Sequence, residues 1–337
     1  MSQRACLNAC LSSAAALILM TGVAQSVRAQ DSVPAATPMD QAPKERAPVN
    51  PAPERVRMDE GGGVDLRPKF VKGQTLKYQM EVNSKSKVTP PGGKKEDAAD
   101  SSMLQAIGLT MQVVEVKEGV ATVKLVYDSF KVKVKTKDAE LEYDSQIKPD
   151  PRKKRDGLDD QDLFGPIFQQ MVGTTMMLTV DRDGKITSVT GGENLNLLGG
   201  IPGAGGVDPK ALGALFGPIN TAGTAGGRRN VGDKWTSTDS MSVGPLGQFT
   251  MVTTNHLVNA RAGMAEVQVV GAASANSQGE VDLAGSTVKL RNATYKGKYT
   301  WDTERGRLVG MEMEQSTQIG GQVEATSSST MKVTTRK

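Results

Sequence analysis

The stretch Gln74 to Val82, QTLKYQMEV, decides how the rest of the chain is read. Leu76, Tyr78, Met80 and Val82 point one way, and Thr75, Lys77, Gln79 and Glu81 the other. A period of two predicts a strand with one packed and one wet face, as in an antiparallel sheet. The pattern continues outward. Leu109 to Val116 and Ala121 to Val126 flank Lys117-Glu118-Gly119-Val120 as the arms of a hairpin. Val172 to Gly192 (VGTTMMLTVDRDGKITSVTGG) reads as strand, tight turn at Arg182-Asp183-Gly184, strand. Between these hairpins the apolar phase slips. Val123, Leu125 and Tyr127 have one parity, whereas Phe130, Val132, Val134 and Thr136 have the other, opposite Lys131, Lys133, Lys135 and Lys137. A slip near Asp128 and Ser129 predicts a β-bulge or corner that bends the sheet.

The second half repeats the first in kind and order. Val231 to Trp235 echoes the Val71 to Gln74 stretch, and Asn259 to Val267 (NARAGMAEV) matches Glu115 to Val123 (EVKEGVATV) around a hairpin glycine. Tyr295 to Leu308 matches the Val172 hairpin, turning at Thr303 to Gly306, and LFGPI occurs at both 163–167 and 215–219. The expected fold is therefore mostly β, with duplicated antiparallel curved sheets, half-barrel or sandwich-like. One or two short connecting helices are expected. Asp208-Pro209 places a capping residue and a first-turn proline before Lys210 to Phe216, and Pro166 does likewise before Gln170.

Arg4, the apolar run Leu11 to Val23, and small residues at Val27 and Ala29 form an export signal cut after Ala29. The apolar run is too short to span a bilayer, so no transmembrane segment is expected after cleavage. The domain reading is a signal peptide at 1–29, a disordered Pro-rich tether at 30–65, a first β unit at 66–198, a Gly-rich connection with a short helix at 199–227, and a second β unit at 228–337. The protein is expected outside the cytoplasm, in the periplasm or the medium. Cys6 and Cys10 leave with the signal, so no disulfide framework is expected.

The residues Leu66 to Phe70 (LRPKF) leading into Gly73, the Val172 to Gly192 hairpin, Val231 to Trp235, the Tyr295 to Leu308 hairpin and Ser329 to Val333 (STMKV) resemble an uncharacterised family of secreted bacterial proteins, of the planctomycete type. The resemblance spans most of the chain after the tether. It implies a structural framework of turns and strand edges, and no activity or catalytic residues. In architecture alone, the chain is similar to curved antiparallel half-barrels that carry lipids or lipoproteins across bacterial envelopes.

The composition narrows the chemistry. His256, in TTNHLV, is the single histidine, and one imidazole without a thiolate builds neither a zinc site nor a Ser-His-Asp triad. No metal ligand set and no cofactor is expected. Asp156, Asp159, Asp160 and Asp162 form an acidic loop without the spacing of a calcium-binding hand, balancing Arg152 to Arg155 before it. Loss of the signal removes Arg4 and Arg28 and leaves 39 basic against 37 acidic residues, a balance that argues against nucleic acid as a partner. The lysine face at 131–137 reads as a solvated edge that discourages strand pairing. Methionine is the unusual apolar choice, with 16 in all, and thioether side chains adapt to irregular apolar partners.

The leading expectation is an exported, non-catalytic envelope protein that binds an apolar ligand or a partner protein. Met176, Leu178, Tyr299, Trp301, Met311 and Met313 are the candidate ligand-lining residues, with plain core filling as the competing role. A structural or matrix-associated surface protein is the second expectation, and a carboxylate-based hydrolase the third. No catalytic residue is assigned.

Overall fold

The computed structural model describes residues 63–89, 92–147, 169, 171–191, 227–242, 248–275, 281–283 and 286–336. The strands in chain order are β1 (Val64–Asp65), β2 (Thr75–Thr89), β3 (Ala99–Lys117), β4 (Val120–Thr136), β5 (Glu140–Asp144), β6 (Thr175–Val180), β7 (Ile186–Thr190), β8 (Arg228–Arg229), β9 (Lys234–Ser242), β10 (Gln248–Arg261), β11 (Met264–Ala275), β12 (Val281–Leu283), β13 (Ser286–Asp302), β14 (Arg307–Gly321) and β15 (Glu324–Arg336). The signal, most of the tether, the 208–216 helix and the Asp156 to Asp162 loop lie outside the described residues. Val64 and Asp65, expected at the end of the tether, form β1 and pair with β8.

Thirteen strands form one antiparallel sheet in the order β7-β6-β4-β3-β2-β15-β14-β13-β11-β10-β9, with β5 beside β4 and β12 beside β13. The sheet is not closed into a barrel. Two meanders meet where β2, the first strand of one, pairs with β15, the last strand of the other, from Glu324 opposite Thr89 to Arg336 opposite Lys77. The alternation in QTLKYQMEV is obeyed, with Tyr78, Met80 and Val82 buried and Lys77 and Glu81 exposed. The phase slip is a bulge. Gly108 pairs Ser129 and Leu109 pairs Tyr127, so Asp128 is the extra residue, and its carboxylate accepts the Thr110 hydroxyl at 2.7 Å. Both parities on either side of Asp128 therefore face inward.

The two meanders share local geometry. β2-β3-β4-β6-β7 and β9-β10-β11-β13-β14 are each runs of consecutive neighbours. Gly73 N–H donates to the Val113 carbonyl and Gly232 N–H to that of Leu257, both at 2.8 Å. A register shift follows each acceptor, between Val113 and Glu115 and between Leu257 and Asn259. Glu118-Gly119 and Ala262-Gly263 are two-residue turns with positive φ at both positions, the type whose twist suits a hairpin. The Asp181 carboxylate accepts the N–H groups of Asp183 and Lys185, as the Asp302 carboxylate accepts those of Glu304 and Arg305.

The sheet curls onto its own inner face. Val123 on β4 and Trp301 on β13 lie five strands apart, about 24 Å in a flat sheet at the usual strand spacing. They nevertheless line one void of about 20 Å³ together with Tyr78, Met111 and Arg307. The segment ahead of β2 seals this end, with Leu66 fully buried and Lys69 N–H donating to the Gly306 carbonyl at 3.1 Å. Lys69 Nζ also donates to the carbonyls of Thr303 and Glu304 at 2.9 and 3.1 Å.

Gly271 is fixed by packing: its missing side chain makes room for the Tyr295 ring on the neighbouring strand, whose hydroxyl is hydrogen-bonded to the Thr253 hydroxyl. A Cβ at 271 would collide with that ring. Gly271→Ala is therefore expected to destabilise the protein by about 1–3 kcal/mol, the usual range for overpacking, in urea denaturation. An unchanged unfolding midpoint would show that the ring does not occupy this space.

Candidate functional site

Cross-strand register turns the inner face into rows. Phe130, Ile107, Met80, Val333, Met311, Tyr299, Val267 and Leu257 succeed one another across eight strands, and all are buried. This apolar row lies next to the sealed end. One step farther along the strands, Val82, Met331, Met313 and Val269 continue the apolar surface, interrupted by Gln105 on β3 and Asn255 on β10, beyond which the row resumes with Val132 and Tyr143 on one side and Trp235 on the other. The next row carries Ser84, Ser329, Gln315, Tyr295 and Thr253 together with the apolar Met103 and Val134, and the one after it Ser101, Ser86, Ser327 and Thr317 together with Ala293, Ala273 and Met251. The inner face thus passes from a wholly apolar row to a polar band about two rows wide that is centred on β2, β15 and β14 and flanked by apolar residues.

That band is buried and incompletely paired. Ser86 and Ser101 share a hydrogen bond of 2.7 Å, Ser84 donates to the Met103 carbonyl at 3.4 Å, and the Gln315 amide donates to Thr317 at 3.0 Å. Gln105 Oε1, Gln315 Oε1, Ser327 Oγ and both polar atoms of Asn255 have no hydrogen-bond partner among the described residues. Asn255 is 0% exposed and the two glutamines 6%. Tyr299 Oη, Trp301 Nε1 and Arg307 Nε, toward the sealed end, and Gln79 Oε1 are likewise without a partner among the described residues, and leaving such a group unpaired costs about 1–3 kcal/mol.

The six sequence-derived lining residues all lie on the inner face and are buried. Met311 sits opposite Tyr299, and Met313 opposite Gly297, whose lack of a side chain leaves room for the Met313 sulfur. These three border the polar band. Trp301 belongs to the sealed end, and Met176 and Leu178 on β6 pack against Leu125 and Val123 of the first meander. Gln105, Asn255 and Gln315 were missed. Their signal was parity: Gln315 and Thr317 carry on the inward alternation of Met311 and Met313, as Ser84 and Ser86 carry on that of Met80 and Val82.

Burial shifts the inward phenols. Desolvation raises Tyr78, Tyr127 and Tyr299 above the usual phenol range, so all three are neutral hydroxyls at physiological pH. His256 has the outward parity on β10, opposite Gln268 and Lys234. The lysine face is not an edge. β4 lies between β3 and the β5/β6 pair, and Lys131 reaches Glu142 and Asp144 of β5 at 2.8 and 3.4 Å, with Lys133 bridging Glu140 and Glu142 and Lys135 close to Glu140. Strand β5 neutralises these cations where a solvated edge was expected. Elsewhere a groove of about 860 Å³ crosses β10 to β2, bordered mainly by outward residues such as Val252, Val270, Lys85 and the Lys296–Glu314 pair at 3.1 Å, and also by Tyr295, Gln315 and Ser329.

The model of the Family of unknown function (DUF6263) matches residues 118–197, the stretch from the β3/β4 turn past β7. An uncharacterised domain is thus present within the first meander. No curated protein matches the chain. Among solved structures, one of lipovitellin, described by its lipid-protein interactions, is similar at 13% identity over 80% of this chain and 26% of its own, with a TM-score of 0.44. The chain spans about a quarter of the lipovitellin chain it matches. An outer membrane channel from Pseudomonas putida F1 is similar at 8% identity over 83% of this chain and 100% of its own, with a TM-score of 0.21. Pseudomonas aeruginosa OccK7 is similar at 9% identity over 79% and 99%, with a TM-score of 0.20. No helix among the described residues is long and apolar enough to cross a membrane.

Asp302 is the one buried carboxylate among the described residues, and it caps its own turn. Burial works to raise its carboxyl, but the Arg305 backbone and guanidinium and the charge of Arg307 outweigh this and hold it below the usual carboxylate range. A carboxyl lowered in the folded state contributes stability in full above its unfolded value, near 3.8, and loses it as pH falls through the lower folded value. Urea midpoints are expected to drop below pH 4. Asp302→Asn should reduce the midpoint at pH 7 and flatten that part of the drop, and an unaltered slope would deny Asp302 this role.

Proposed function

We propose that this protein is exported and, without catalysing a reaction, holds an amphiphilic molecule against the inner face of its curled sheet. The observation that supports the reading is the inner face, apolar at Met311 and Met313 and interrupted at Gln105, Asn255 and Gln315 by buried amides with no partner among the described residues; these groups are closed to solvent, so the reading requires the curled sheet to open to admit the ligand. An acyl or polyisoprenoid chain satisfies the first part and a head group the second. The adaptable methionines Met313 and Met331 form the transition and suit a chain of variable shape. Export rests on the Arg4 to Ala29 signal. The matched turns, bulges and strand orders of the two meanders support a duplicated β unit as the frame. Met311, Met313 and Tyr299 are the lining residues we retain in contact with the ligand, while Met176, Leu178 and Trp301 shape the sealed end.

A second reading, assembly into a surface layer, draws on the sheet ends. Among the described residues β7 and β9 each pair on one side only, and such edges accept another strand. Sedimentation at increasing concentration separates the two, because edge assembly requires growth beyond the monomer.

Native mass spectrometry of the protein purified from its own host is expected to show an adduct in the mass range of a single lipid. Met313→Arg should abolish the adduct while leaving the β-type circular dichroism spectrum in place. A host-purified protein free of adducts, and inert to an environment-sensitive acyl probe, would exclude amphiphile binding.

A further inference from the structure

The groove of about 860 Å³ that crosses β10 to β2 is open to solvent, and the amphiphile reading leaves it without a role. We propose that it is a separate binding site, for a single strand of linear, mainly neutral polysaccharide laid across the sheet. Cross-strand register sets Lys85, Ser328, Ser316, Thr294, Ala272 and Val252 side by side along it, one from each of six neighbouring strands and all exposed. Three successive hydroxyls therefore recur at the strand spacing of about 4.8 Å. The next row adds Thr330 and Val270 on either side of the Lys296–Glu314 pair. Longer side chains stand in the rows beyond, Lys332, Glu312 and Lys298 toward the sealed end and Lys87 and Gln318 away from it, so the short ones form the floor.

Shape and chemistry together select the occupant. From Lys85 to Val252 the groove spans five strand spacings, about 24 Å, and 860 Å³ over that length gives a mean cross-section of roughly 36 Å². An α-helix, about 10 Å across, is too wide for it. An extended peptide gains little there, because all six strands are already paired on both sides and offer no free ladder of N–H and C=O groups. The lining charges are the Lys296–Glu314 pair, which cancels, and Lys85, too few for a nucleic acid strand. A sugar chain fits what is left. Its hydroxyls both donate and accept, as those of Thr294, Ser316, Ser328 and Thr330 do, and its C–H faces pack on Val252 and Val270, which are 44% and 61% exposed. At one end, Lys85 complements an acidic sugar carried on an otherwise neutral chain.

Isothermal titration of the purified mature protein with cellohexaose, laminarihexaose and the gellan octasaccharide, a linear chain in which neutral sugars outnumber glucuronate, tests the site. An extended glycine-serine peptide of matching length is the control. At least one oligosaccharide is expected to bind about tenfold or more tighter than the peptide, a difference near 1.4 kcal/mol. The gellan octasaccharide should exceed the neutral chains by about threefold, and Lys85→Gln should remove that margin. The combined variant Thr294→Val, Ser316→Ala and Ser328→Ala should weaken every oligosaccharide about tenfold or more while leaving the melting temperature and the β-type circular dichroism spectrum in place, because all three side chains are exposed. Ala272→Arg, which fills the floor from a different strand, should do the same. Oligosaccharides that bind no better than the peptide, or whose binding survives both variants, overturn the site. A gellan margin that is absent, or unmoved by Lys85→Gln, overturns the part given to Lys85. None of these outcomes bears on acyl-probe binding, so the amphiphile reading stands or falls separately.

Discussion

The pairing of β2 with β15 is the interaction on which this structure depends. It joins the first strand of one meander to the last strand of the other through a continuous register from Thr89 to Lys77. Without it there would be two sheets, each with an apolar face and no partner. With it, Met80 meets Val333 and Val82 meets Met331, and one inner face runs unbroken from β7 to β9. The curl that brings Val123 beside Trp301 follows, because a long twisted sheet buries its apolar side most completely by bending around it.

That bending is helped by local devices. The extra residue Asp128 and the shifts after Val113, Leu257 and Thr300 each add twist, and Gly271 and Gly297 let Tyr295 and Met313 lie flat across neighbouring strands. The interior that results is not uniform. Large apolar side chains fill the end closed by Leu66 and Trp301, while hydroxyls and amides share the rows beyond Met313 with Met103, Val134, Tyr295 and Met251. A protein selected only for stability would gain by replacing Asn255 or Gln315 with leucine. Their retention at nearly complete burial fits a face shaped for something besides packing.

Local order was readable from the residues, and long-range order was not. The alternation of Leu76 to Val82 placed β2, the parity change between Tyr127 and Phe130 placed the bulge at Asp128, and Gly119, Gly184, Gly263 and Gly306 marked the turns. These signals belong to neighbours in the chain. The β2/β15 seam joins opposite ends of the folded body, and nothing local in STMKV or KYQMEV names the other as its mate. The lysine face failed for the same reason: its alternation was right, but Glu140, Glu142 and Asp144 of β5 supply its countercharges. Parity did announce the polar band at Gln315 and Ser84. It passed unnoticed because inward polar residues read as interruptions of a core when the face they share has not yet been assembled.

The reversals at Glu118-Gly119, Asp181 to Gly184, Ala262-Gly263 and Asp302 to Gly306 all fall at one pole, the one where Lys69 fastens the incoming backbone and where β15 finishes. Both covalent ends of the sheet are therefore gathered there, and Ser84 lies roughly 25 Å away along β2 at the rise of a strand. Any attachment extending from either end leaves by that pole, so the hydroxyl-lined half is held away from it, oriented like the bowl of a spoon gripped by its handle.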